Sequence, residues 1–166
     1  MKYLFSCLAT MAWALWLGGL VTLFISVTAL FAHSHDLAVE AAPVLFLRFE
    51  KYQLALAAGS IAAMLLWQVQ GSSRSKTAIL LLMTLAAGCA AYSTASVTPA
   101  IERLRAMHQT QTDEFRSLHG RSMVIYLSET ILLAMAGVAI PAAVGGGESI
   151  APARTENARQ AEAALR

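Results

Sequence analysis

Apart from Glu129, the charged residues in this chain stand outside a small number of long apolar runs. The first run extends over residues 4–32, with Lys2 before it and His33, His35 and Asp36 after it. A second covers about residues 52–70 and closes on Gln70, Gly71, Ser72 and Ser73, a cluster that ends a helix and turns the chain. A third, about 77–98, starts after Lys76 and meets Pro99, which restricts the residue before it and marks a boundary or kink. The fourth, about 122–144, contains Pro141 and ends at Gly145, Gly146 and Gly147. Each is long enough to cross a hydrocarbon core, which takes about 20 helical residues. The pattern predicts an all-α fold, a polytopic membrane protein built as a four-transmembrane-helix bundle.

Two segments between the runs have charges and apolar positions at helical intervals. Ile101, Leu104, Met107, Phe115 and Leu118 recur between Ala100 and Arg121, and Leu45, Phe46 and Phe49 recur between His33 and Lys51. Both read as interfacial helices or as extensions of the spans beyond the membrane. Residues 145–166 contain few large apolar side chains and are expected to be a disordered polar tail to a membrane domain of residues 1–144. The first run is too long for the apolar stretch of a signal peptide, about 7–15 residues, so it is expected to remain as a span.

Composition agrees with lipid as the solvent. Of 166 residues, 57% are hydrophobic and 13% charged, and mean hydropathy is +0.58. Whole helical lengths have no charge on any face, which a soluble domain of this size could not cover. The net charge of +2 is small, and its basic residues form no patch interleaved with aromatics, which argues against a nucleic-acid partner. Four spans put both termini on one side. Lys2, Arg74, Lys76, Arg154, Arg159 and Arg166 then face Arg48, Lys51, Arg103, Arg105, Arg116 and Arg121, six against six. The short acid-free loop holding Arg74 and Lys76 favours that side as the cytoplasmic one, in a cell inner membrane.

An ionisable group at membrane depth is costly and usually faces a partner or water. Glu129 lies a turn or two into the fourth run, and His119, Ser122, Tyr126 and Glu129 follow at intervals of three, four and three, on one helical face. This stripe is the candidate polar or ion site. In one reading it faces the other helices, with a neutral Glu129 paired to Gln53 or a Thr. In the other, Glu129 carries a proton or binds a cation at the end of a path starting at His119. Matching small or polar faces occur at Gly18, Gly19, Thr22 and Ser26, at Gln53, Ala57 and Ser60, and at Thr84, Gly88, Ala91 and Ala95. Gly18, Gly19 and Gly88 are candidates for close helix packing, within the chain, in a homo-oligomer or against a membrane protein partner.

All four histidines, His33, His35, His108 and His119, fall on the side away from the termini, with Met107 and Met123 nearby. Imidazole with thioether would suit copper or zinc, although no fixed ligand spacing is met and loop histidines are commonly solvated or capping. No histidine lies deep in an apolar run, which argues against haem. Serine-nucleophile, phosphate-loop, zincin and dinucleotide motifs are absent from the sequence, so nothing points to an enzyme.

Several residues together carry a family resemblance. Leu15-Trp16-Leu17-Gly18-Gly19, then Phe46, Phe49 and Tyr52, then Pro99-Ala100-Ile101-Glu102, and finally Phe115-Arg116-Ser117-Leu118-His119-Gly120-Arg121-Ser122 with Glu129 resemble the transmembrane protein 205-like family. The likeness covers about residues 13–140 and implies four spans. A human relative's association with platinum-drug resistance implies metal or small-solute handling in stress resistance, without a transport mechanism. Trp16-Leu17-Gly18-Gly19 followed by histidines also resembles, in pattern only, bacterial copper-resistance membrane proteins.

Overall fold

The computed structural model describes residues 2–145. Helix α1 spans Lys2–His33, α2 His35–Val69, α3 Arg74–Tyr92, α4 Thr98–Ala106 and α5 Asp113–Gly145. A π-helical turn, Ser93–Val97, joins α3 to α4 without a break, so the third crossing is one rod from Arg74 to Ala106. The four rods are long and apolar enough to span a membrane. Leu4, Met11, Ile25, Leu65, Leu81, Leu127 and Val138 are among many large apolar side chains exposed on the outside. Such a surface fits an integral membrane protein, with lipid against it.

The turns follow from local chemistry. Ser34 caps α2, its hydroxyl accepting from Leu37 N at 3.4 Å, and Ser73 caps α3 by accepting from Lys76 N at 3.3 Å. Gly71 takes a φ of 138°, a backbone that needs glycine. At the other end, α4 closes in a Schellman pattern, Gln109 N donating to Leu104 O at 2.9 Å and His108 N to Arg105 O at 3.0 Å. His108 occupies the left-handed position of that motif, with φ 57°.

Among the described residues three prolines lie within helices, and the boundary expected at Pro99 is instead a continuous passage from the π-turn into α4, where Pro99 stands in the first turn. The segment before Lys51 is continuous with the second crossing, and α2 passes through Pro43. Likewise α5 continues beyond Pro141 to Gly145. A proline lacks only its own N–H, and packing of the surrounding turns holds these helices despite that loss. Apart from Gly145, the polar tail lies outside the described residues.

Around the bundle the neighbours are α1–α2, α2–α3, α3–α5 and α5–α1, which leaves α2 and α5 diagonal and parallel. The core has two apolar layers. Near the chain ends, Ala9, Met64, Trp67, Ile79, Met83, Ala136 and Ile140 pack together. Toward the middle, Trp16, Leu20, Ala57, Ala86, Ala90, Tyr126 and Leu133 form the second layer. The small side chains of that layer bring the diagonal helices within reach of each other's longer ones.

Candidate functional site

Glu129 is completely buried and Glu50 is 3% exposed. The two carboxyls come from the diagonal helices, and each is bonded to a neutral residue of the opposite helix. Trp16 of α1 donates its indole N–H to Glu129 Oε1 at 2.8 Å, and Gln53 Nε2 of α2 donates to Glu129 Oε2 at 3.4 Å. Glu50 Oε1 accepts from three hydroxyls: Tyr126 at 3.1 Å, Thr98 at 2.5 Å and Ser93 at 3.4 Å.

The arrangement is reciprocal. On α2, Glu50 and Gln53 are three residues apart; on α5, Tyr126 and Glu129 are three apart as well. Since the helices run parallel, Glu50 lies level with Tyr126 and Gln53 level with Glu129, and each carboxyl bonds the neutral residue across from it. Each helix thus presents one acid and one neutral polar group on a single face.

The π-turn explains how Ser93 and Thr98 share a target. Residues five apart in an α-helix point roughly 140° away from each other, at about 100° per residue. A π-turn bonds i to i+5 and widens the coil, which returns the two hydroxyls to the same face. Single π-turns occur often at functional sites, and this one, from Ser93 to the residue before Thr98, aligns two of the three donors to Glu50.

Two buried polar atoms in this part of the core have no hydrogen-bond partner, Gln53 Oε1 and Ser60 Oγ. Both lie on the inward face of α2. Beyond Ser60, toward the chain ends, the interior is the apolar layer of Met64, Ile79, Met83 and Ile140, ending at Lys76. That lysine is 7% exposed, donates from Nζ to Gly71 O at 2.5 Å and Trp67 O at 3.3 Å, and lies 4.9 Å from the Trp67 ring centroid.

Of the stripe expected from sequence, Tyr126 and Glu129 are in the site. Ser122 is half-buried, and His119 is exposed, stacked on Phe115 with ring centroids 6.2 Å apart. The four rods cover each other less completely at that level, so the face that is internal at Glu129 reaches the surface at His119. His33, His35 and His108 are exposed too, and His35 Nδ1 lies 3.7 Å from Asp36 Oδ1. Among the described residues, no three His, Cys, Asp or Glu side chains converge in a metal-holding group. Among the packing glycines, Gly19 faces α2, where an added Cβ would lie 2.8 Å from the Phe49 ring. Gly18 and Gly88 are exposed, and a Cβ on either would meet nothing within 4 Å.

Sequence reasoning missed Glu50 as a site residue because Arg48 and Lys51 flank it and marked that stretch as lying outside the membrane. A signal was present: the Gln53, Ala57, Ser60 face continues backward by three residues onto Glu50.

The chain matches no family model, no curated protein and no solved structure.

Proposed function

We propose that this protein handles an ion, a proton or a small cation, at the paired carboxyls Glu50 and Glu129. The observation that carries the reading is the burial of two acids inside the bundle, bonded to neutral donors from all four rods. The ion pairs His35–Asp36, Glu102–Arg105 and Asp113–Arg116 lie elsewhere on the surface. Hydrocarbon surroundings make such a pair expensive to retain for packing alone. The donor set is entirely oxygen apart from the Trp16 and Gln53 N–H groups, which suits a hard ion better than copper or zinc. Metal or small-solute handling in stress resistance is the physiological setting we propose, along with membership of the transmembrane protein 205-like family. The resemblance that supports that membership is the Pro99-Ala100-Ile101-Glu102 segment combined with Phe115 to Ser122 and Glu129. A cell inner membrane with cytoplasmic termini is part of the same proposal.

The test is ion-dependent behaviour of the full chain in lipid vesicles, read as ion flux and as Trp16 fluorescence. Glu129→Gln is expected to abolish both responses, and Glu50→Gln to weaken them, with the protein still monodisperse. Metal analysis of protein purified without chelator reports separately on copper or zinc at the histidines. A second reading is an assembly subunit, favoured by the outward-facing Gly18 and Gly88. In that case both Gln variants would match wild type, and Gly18→Leu or Gly88→Leu would dissociate the assembly.

A further inference from the structure

The amide of Gln53 has two chemically different ends, and one of them is used. Its Nε2 donates to Glu129 Oε2 at 3.4 Å, while its Oε1 is buried with no hydrogen-bond partner. Gln53 is completely buried, so no surface water reaches that oxygen. Leaving an acceptor unpaired at such depth is costly. On its other oxygen, Glu129 is held by Trp16, whose indole can donate but never accept.

An amide is nearly symmetric in shape, and a half-turn about its last bond exchanges the carbonyl oxygen and the NH2 group in place. After that half-turn, Oε1 faces Glu129 Oε2 and requires a proton between the two oxygens. Glu129 has such a proton to donate when it is protonated on Oε2. Trp16 fits Oε1 in either state, and its presence there directs the proton to Oε2.

We propose that Gln53 is a two-state positioning residue for Glu129: it donates N–H to the carboxylate, and turns its amide to accept O–H once Glu129 has taken up a proton. This rests on the ion-handling reading of Glu129 and deepens it by making the ion a proton. The chemistry balances simply. One O–H bond forms at Glu129 Oε2 as one O–H bond of a hydronium ion from bulk water breaks, and the reverse exchange accompanies release.

Other titratable groups face Glu129. Glu50 comes from α2, Tyr126 from α5 itself and Cys89 from α3, while α1 contributes the non-titrating Trp16. The experiment must therefore resolve Gln53 and Glu129 individually. It is pH-difference infrared spectroscopy on the full chain in lipid, with glutamine side-chain carbonyls carrying carbon-13. The protonated-carboxyl band of Glu129 is identified by its loss in Glu129→Gln. The Gln53 amide band is identified by its change in both Gln53→Met and Gln53→Asn, so that one poorly folding variant does not remove the assignment.

The expected result is a Gln53 carbonyl band that shifts with the same pH midpoint as the Glu129 band. A Glu129 band that titrates while the Gln53 band stays fixed overturns the two-state role and leaves ion handling standing. A Glu129 band that never responds to pH overturns the proton reading and this inference together.

Discussion

Trp16 and Glu129, separated by 113 positions in the chain, are joined by a 2.8 Å hydrogen bond in which both side chains are fully buried. An indole is a large apolar body with one donor, so it can line a membrane core and still satisfy a carboxyl. Trp16→Phe keeps most of the packing and removes the donor. The expected loss is about 1–3 kcal/mol, the usual cost of stranding a buried polar group, read as a lowered midpoint of unfolding in detergent. An unchanged midpoint would mean that the carboxyl finds another donor at no cost.

Glu50 gathers three hydroxyls, and its removal strands all of them. Glu50→Ala should therefore destabilise the bundle more than Tyr126→Phe, which deletes one donor at about 0.5–1.5 kcal/mol. Glu50→Gln retains an acceptor oxygen and should fall between the two. Chemical denaturation of the three variants under one set of detergent conditions gives the order, and Tyr126→Phe as the most damaging would refute it.

Neighbouring glycines on α1 should behave in opposite ways. Gly19→Val drives a side chain into Phe49 and Tyr52, whereas Gly18→Val projects into open surroundings. Overpacking typically costs about 1–3 kcal/mol, so the first is expected to lower the melting temperature and the second to leave the monomer's unchanged. Gly137 belongs with Gly19, because Trp13 lies directly against it. Trp13 also donates to Leu133 O at 2.7 Å, fixing the ring on that stretch of α5.

His108 is the left-handed residue of the turn that closes α4, a position glycine occupies without steric penalty. His108→Gly should stabilise the protein by up to about 1 kcal/mol, measured as a raised melting temperature. A marked loss of stability would instead reveal a role for the imidazole itself.

Much of this architecture was visible in the sequence. Charge-free stretches of helical length have few outcomes other than spanning lipid, and the four rods fall on the four apolar runs. Glu129 and Tyr126 were readable because a carboxyl inside an apolar run is conspicuous, and Gln53 as a partner followed from the polar face it shares with Ser60. Glu50 was concealed by its neighbours: Arg48 and Lys51 point outward on the same helix that turns Glu50 inward. The helical period alone separates them, and it does not say where lipid ends. His119 illustrates the converse, since a continuous stripe on one helix stays internal only as far as other helices cover it. The π-turn at Ser93–Val97 has no sequence signature that would have disclosed it.

Lys51 has a further consequence. It is exposed on α2 beside buried Glu50, while Val69 ends the same helix 18 residues later, about 27 Å away at ~1.5 Å per residue. That distance is close to the thickness of a hydrocarbon core, about 30 Å. With a lipid boundary at Lys51, Glu50 would sit at its depth and Glu129 about one helical turn beneath. A charge arriving at Glu129 from this side crosses only a minor fraction of the transmembrane voltage, whose full span is worth about 2.3 kcal/mol per 100 mV. In that placement most of the electric field would fall across the apolar layer of Met64, Ile79, Met83 and Ile140, so loading the pair should depend weakly on membrane potential, and any onward passage strongly.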